Sequence, residues 1–316
     1  MHLPIVKSIF RKKVPQKLLD PVSKKNHSGH GVGLVTMVKN EDTFLIHWLT
    51  HYQRIIDQPR FYILDDASDK VDTREIVRQV GAEENCDVIR LPVGPFSDTY
   101  KSKAISSLAN ILIHRHTIVL ASDVDEIITP IGEARSQDFE ELLRTAPEPF
   151  ASPIGVLPVH DISEEPDFDP FLPLAEQRSW GFLHGGSTKP LIWKGQEAQF
   201  TPGQHTLRGH QVPVITNLAT MHLRWVDRKT ALRRQEIRNE TDFGEEQLEN
   251  HGTHWRAKPE KLLQNNLMNP RKHMEGARSI TEVSPEFIHT HMVKHKEHYI
   301  LKERKILQAV SLKHCI

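Results

Sequence analysis

The chain is short of cysteine. Its 316 residues include two, Cys86 and Cys315, far apart and in no C-x-x-C pair. That excludes a disulfide framework and a thiolate zinc site, and it fits a reducing compartment. Long apolar runs are absent too. No stretch approaches the roughly 18 residues that a membrane span needs, so no transmembrane segment is expected. Residues 1–10 are too short and too interrupted for a signal peptide. A cytoplasmic protein is the expectation. Net charge is also missing: Lys plus Arg number 41 and Asp plus Glu number 41. The electrostatic footprint of a nucleic-acid binder is therefore lacking, and no nucleic-acid partner is expected. Nothing recurs at the roughly 20–50-residue period of a solenoid.

What the chain does have is strand-like and helix-like patterning in alternation. Residues 33–38, 61–64, 87–91 and 118–121 are short β-forming runs. After the first, Phe44, Leu45, Trp48, Leu49 and Ile55 recur at helical spacing, with Asp42 or Thr43 placed to cap. Residues 73–80 and 102–114 read as further helices. Alternation of this kind predicts an α/β fold, a mostly parallel central sheet flanked by helices. Residues 139–144 predict a short helix. Residues 147–211 are rich in proline and read as loops and short strands beside the site. Residues 214–215 and 218–223 read as one more strand region. Beyond Asp227 the pattern turns helical and charged, over 229–238, 259–267 and 285–307. The expected organisation is a basic N-terminal arm (1–30), a main domain (31–225, in halves 31–130 and 131–225) and a helical C-terminal extension (226–316). The arm carries seven Lys or Arg against one acid, Asp20. The extension is mildly basic, with 17 Lys plus Arg against 13 Asp plus Glu over 227–316, and it is left open whether it serves a homodimer, a peripheral membrane contact or an acceptor.

Three polar clusters each follow a strand: Lys39-Asn40-Glu41-Asp42, Asp65-Asp66-Ala67-Ser68-Asp69 and Ser122-Asp123-Val124-Asp125-Glu126. In a parallel sheet the carboxyl ends of the strands share one edge, where ligands bind. In the third cluster two carboxylates at i and i+2 can both reach one divalent cation. Oxygen ligands of this kind suit Mg²⁺ or Mn²⁺ held for a phosphorylated substrate. The competing reading is a loop with two solvated acids. The 20 histidines are scattered, and each alone is more often structural than a ligand.

These residues also carry a resemblance. Val38-Lys39-Asn40-Glu41, followed by Phe44-Leu45-Ile46-His47-Trp48-Leu49-Thr50-His51-Tyr52, resembles the opening motif of family-2-like glycosyltransferases. Leu64-Asp65-Asp66-Ala67-Ser68-Asp69 is similar to their Asp-x-Ser-x-Asp loop, and Ser122-Asp123-Val124-Asp125-Glu126-Ile127 to their metal-binding D-x-D. The likeness covers residues 31–130 well. It continues more weakly through Lys189-Pro190, Gly203-Gln204-His205 and Met221-His222-Leu223-Arg224.

The resemblance implies a GT-A (Rossmann-like) fold, a nucleotide-sugar donor, commonly a UDP-sugar, and Mn²⁺ or Mg²⁺. It implies a hexosyltransferase-type enzyme acting on a saccharide or other hydroxyl acceptor. On this reading Asp125 coordinates the cation directly, and Asp123 acts through water or the donor ribose. His205 is the preferred third metal ligand, because Gly203 permits a close approach, with His222 the second candidate. Asn40, Glu41, Asp66, Asp123 and Lys189 would contact the nucleotide or its diphosphate. Trp48 reads as core. No Glu-Asp or Asp-Asp base motif stands at the family's expected place. The catalytic base is therefore unknown, with Glu176, Glu165 and Asp161 as weak candidates. Competing classes are a haloacid-dehalogenase-type phosphatase, which places its Asp-x-Asp near the first strand, and a nucleotidyltransferase, whose usual Gly-rich phosphate loop is absent. A non-catalytic nucleotide-sugar-binding or assembly protein is the remaining alternative.

Overall fold

The structure is a computed structural model. It describes residues 31–241 and 243, and short segments at 278–279, 292–295, 298–301 and 309–312. The basic arm (1–30) and the expected helix at 259–267 lie outside the described residues.

The chain opens with β1 (Val32–Val38), α1 (Thr43–Ile55), β2 (Arg60–Asp65), α2 (Thr73–Gln79), β3 (Cys86–Arg90), α3 (Asp98–Leu112) and β4 (Ile118–Ala121). β1 pairs in parallel with β2 on one side and β4 on the other, and β2 with β3. The order β3-β2-β1-β4 reverses chain direction between β1 and β4. That reversal opens a crevice at the strand ends, the usual ligand position in open α/β sheets. β1 and β4 are buried throughout. Side chains of β1 alternate across the sheet. Leu34 and Val38 pack into the layer of α1, while Val35 and Met37 meet Ile105 and Ala109 of α3.

α1 is buried from Phe44 to Tyr52, as a helix inside the core must be. Trp48 is fully buried and packs edge-on against Tyr52, with ring centroids 5.5 Å apart. Asp42 is the cap of α1, accepting from Thr43 N–H at 2.6 Å. Asp72 and Ser97 cap α2 and α3 in the same way.

The second half is mixed. β5 (Glu126–Pro130), α4 (Phe139–Thr145), β6 (Phe150–Pro158), α5 (Leu174–Gln177), β7 (Trp180–Leu183), β8 (Ile192–Trp193) and β9 (Val214–His222) lead to α6 (Arg228–Glu240). β8 joins β4 to β6, antiparallel to both, so one sheet runs through the molecule. β9 pairs antiparallel with β5 and parallel with β6. The expected loops and short strands at 147–211 thus include a nine-residue, fully buried central strand, β6. Its two prolines conceal it in the sequence. Proline cannot donate to a ladder and reads as loop, but the register of β6 shifts between Pro153 and Ile154, which accommodates one of them.

The C-terminal segments also differ from expectation. β10 (Arg278–Ser279) and β13 (Ala309–Ser311) extend the sheet beyond β7, while β11 (Met292–His295) and β12 (His298–Leu301) pair antiparallel. Eight residues of the expected helix 285–307 are therefore strand. The alternating Met292-Val293 and Tyr299-Ile300 pairs fit strand, and the interspersed charges obscured them.

Candidate active site

A cleft of about 810 Å³ opens at the carboxyl edge of β1, β2 and β4. Residues 37–41 at the end of β1 and in the loop after it, Asp69 and Lys70 after β2, Asp123 to Asp125 after β4, His222 at the end of β9 and Arg234 of α6 all line it. The three polar clusters read from sequence do meet.

Asp125 is nearly buried. Its Oδ2 accepts from Arg234 Nη1 at 2.5 Å and lies 3.5 Å from His222 Nε2. Burial alone would raise its pKa, yet Arg234, followed by His222, holds the carboxyl well below the usual range. Asp123 accepts from Lys101 Nζ at 3.0 Å and from Lys189 Nζ at 3.3 Å. Burial opposes its charge too, but Lys101 and Lys189 bring it down to about 2. Behind the pair, Glu126 begins β5 fully buried, 2.8 Å from Lys189 Nζ. Burial dominates there and raises its pKa. The Lys189 ammonium is raised in turn, because Glu126 and Asp123 together outweigh its own burial.

Arg234 also reaches Glu41 Oε2 from Nε at 3.1 Å, and its guanidinium lies 4.6 Å over the Phe44 ring. Glu41 has its other oxygen on Phe44 N–H, at 3.2 Å. It therefore helps to cap α1 as well as facing the cleft. Asn40 adopts a positive φ of 53°. It is fully engaged: Nδ2 donates to Asp69 at 2.8 Å, while Oδ1 accepts from the backbone N–H of Asp69 and Lys70. This clamp ties the loop after β1 to the loop after β2 and shapes one wall. Asp66 stands behind the wall, paired with Lys39 at 3.3 Å. Asp69, three residues on, faces the cleft instead.

Both histidine candidates line the cleft, in different situations. His205 Nδ1 bonds the Gly186 carbonyl at 2.9 Å. Gly203 has φ +78° and lies so close that a Cβ there would meet the His205 ring at 2.9 Å. His222 stands beside Asp125 and also bonds Ser187 Oγ through Nδ1 at 3.0 Å. Among the described residues, no group of three or more His, Cys, Asp or Glu is arranged to hold a metal. The cleft offers instead a close carboxylate–imidazole pair, Asp125 and His222, with Asp123 nearby. That donor set suits an ion of the Mg²⁺ or Mn²⁺ type, which takes few protein ligands and completes its shell with water and phosphate.

None of the three base candidates lines the cleft. Glu165 accepts from Asp161 N–H at 3.0 Å and from Ser179 N–H at 2.7 Å, and lies 3.8 Å from Arg178. Asp161 accepts from Ser163 N–H and Oγ. Glu176 faces Arg54. Glu165 and Asp161 hold their loops together through these bonds. Sequence reasoning missed Lys101 and Arg234, which sit on helices amid other charges. The available signal was spacing: Arg234 and Arg238, four apart, share one face of α6.

No family model matches the chain, and no curated protein matches it. Solved structures do show partial likeness. A mannosyltransferase, PcManGT from Pyrobaculum calidifontis, in complex with GDP-Man and Mn²⁺, is 14% identical over 46% of this chain and 41% of its own, with a TM-score of 0.27. The bifunctional glycosyltransferase WbbM, in its apo form, is 15% identical over 45% and 25%, with a TM-score of 0.24. TarS of S. aureus is 12% identical over 81% and 46%, with a TM-score of 0.31. The chain spans less than half the length of each of these structures.

Proposed function

We propose that this chain is a glycosyltransferase that moves a sugar from a nucleotide-sugar donor, such as a UDP-sugar, to a saccharide or other hydroxyl acceptor. One observation carries the reading. Asp123 and Asp125 stand together at the reversal point of a parallel sheet, on the floor of a cleft large enough for a nucleotide, with Lys101, Lys189 and Arg234 fixed around them. Breaking a glycosidic bond to a nucleoside diphosphate loads negative charge onto the diphosphate. Preorganised cations stabilise that charge where it develops. Lys101 and Lys189 supply two ammonium groups on one side, and Arg234 keeps Asp125 ionised and oriented. Asp125 and His222 would hold a divalent ion, with Asp123 through water; when bound, the ion serves as a Lewis acid toward the diphosphate. His222 is preferred over His205 because it stands next to Asp125. The Asn40–Asp69 clamp gives the nucleotide end a rigid wall.

Slow release of nucleoside diphosphate from a panel of nucleotide sugars, with and without Mn²⁺, tests this. The expected result is metal-stimulated release that falls at least about 100-fold in Asp125→Asn. Phosphate release from monoesters instead would place the chain with phosphatases. A folded protein that binds nucleotide sugars without turnover would be a binding module. Either result overturns the proposal.

A further inference from the structure

We propose that Ser187 is a positioning residue: its buried hydroxyl holds the His222 ring by Nδ1, so that Nε2 presents a lone pair beside Asp125 to a divalent cation. This deepens the glycosyltransferase reading and rests on it for the cation.

His222 ends β9, opposite Glu126 of β5 in the antiparallel ladder. The ladder fixes its backbone, but the ring can still turn about two side-chain bonds. At one end of the ring, Nε2 lies 3.5 Å from Asp125 Oδ2. That is longer than an N–H···O hydrogen bond, and the same oxygen already accepts from Arg234. At the other end, Nδ1 lies 3.0 Å from Ser187 Oγ, within hydrogen-bond distance. Ser187 itself is fully buried and does not line the cleft, so it acts on a ligand only through a neighbour that does. Its turn is pinned to β6. His184 N–H donates to the Gly155 carbonyl at 2.8 Å, Gly155 N–H to Thr188 Oγ1 at 2.9 Å, and Ser187 N–H to the His184 carbonyl at 3.0 Å.

The same Ser187 Oγ meets His184 Nδ1 at 2.8 Å. A hydroxyl has one proton to give and lone pairs to receive, and here two ring nitrogens face it. It donates to one of them, and the other must donate to it. In the first arrangement His222 gives Nδ1–H to Ser187, and Ser187 gives O–H to His184. His222 Nε2 then keeps its lone pair. In the reverse arrangement Ser187 donates to His222, whose proton stands on Nε2 toward Asp125. A cation at Asp125 needs the lone pair and selects the first. The hydrogen bond on one nitrogen of an imidazole decides which nitrogen can take a metal. Alanine at 187 would remove that bond, leaving both the rotation of the ring and the place of its proton unspecified.

Mn²⁺ titration of the full chain, followed by electron paramagnetic resonance, tests this on wild type, Ser187→Ala, His222→Gln and the double variant. Wild type is expected to bind Mn²⁺, and Ser187→Ala to bind it about 10- to 100-fold more weakly. In the His222→Gln background the same serine change is expected to have no further effect. A serine that served only the fold would weaken both backgrounds alike. Spin-echo modulation of the bound ion gives a second signature: an imidazole nitrogen coupling in wild type that is missing in His222→Gln. Where Ser187→Ala melts early, Ser187→Cys keeps a side chain of similar size with only a weak donor, and the same dependence on His222 is expected. Equal Mn²⁺ affinity in wild type and Ser187→Ala, or equal losses in the two backgrounds, overturns the proposal. A wild type that binds no Mn²⁺, or binds it without the nitrogen coupling, overturns it too. No nucleotide sugar enters this titration. Serine-dependent Mn²⁺ binding without nucleotide-sugar turnover would therefore sink the enzymatic reading alone. Turnover with Mn²⁺ binding indifferent to Ser187 would sink the role of the serine alone.

Discussion

Asp125 is pulled two ways, by burial that opposes its charge and by Arg234 and His222 that favour it, and the cations prevail. The consequence for stability has a definite sign. Its folded pKa lies below the ordinary value of about 3.9, so the stabilisation is complete above that pH and is lost as pH falls toward the folded value. Urea unfolding between about pH 4 and pH 2 should show a falling midpoint in wild type and a flatter profile in Asp125→Asn. At neutral pH the same substitution should cost about 2 kcal/mol, because Arg234 keeps only Glu41; equal profiles for the two proteins would contradict the ion pair. Trp48→Ala should cost about 3–5 kcal/mol in the same assay, since the indole is enclosed by Tyr52 and Phe61. Asp123, Asp125 and the core role of Trp48 were legible in the sequence, because strand ends and helical spacing mark them. Arg234 was not. Its neighbour Arg233 turns to Asp42 instead, 2.8 Å away, and nothing local tells which of the two faces inward.

At the level of elements, α1 carries a buried histidine pair. His47 Nδ1 bonds the Pro170 carbonyl and His51 Nε2 the Ile128 carbonyl. Burial lowers their pKa values to about 3 and about 4 respectively, with mutual proximity adding to the effect at His47. The unfolded chain binds these protons near pH 6.5 and the folded one does not, so stability declines as pH falls from about 6.5 toward 4. Each histidine should account for on the order of 3 kcal/mol across that window. A His51→Gln variant should therefore be less acid-sensitive than wild type when unfolding is followed between pH 7 and pH 4, and an unchanged slope would contradict this assignment. β6 has a different vulnerability. A Cβ on Gly155 would fall 2.3 Å from the His184 carbonyl and 2.5 Å from Thr188 N. Gly155→Ala should push away the turn that carries Ser187 and Lys189, lowering both the melting temperature and nucleotide affinity. β6 escaped the sequence reading because its prolines imitate a loop. β1, β2 and β4 of the parallel half did not, because each carries a short apolar run that leads into a polar cluster.

For the whole molecule, the cleft is assembled from parts distant in sequence. The parallel half supplies the floor, and α6 crosses to it with Arg234 and Arg238, while Lys70 meets Glu240 and the Phe96 ring stands edge-on to Phe243. A division at residue 225 therefore separates residues that share one site. The parallel architecture was legible because periodicity and strand-end polarity are local properties. The contribution of α6 was hidden because its long-range contacts leave no local mark, and a helix rich in charge reads as a solvated surface. The central claim is that this cleft holds a nucleoside diphosphate, and hydrogen exchange with and without saturating nucleoside diphosphate and Mn²⁺ tests it most directly. Slowed exchange is expected at residues 39–41, 69–70, 122–125 and 234–241 together. Unchanged exchange at those four segments with ligand bound, or protection confined to 161–178, would contradict the account.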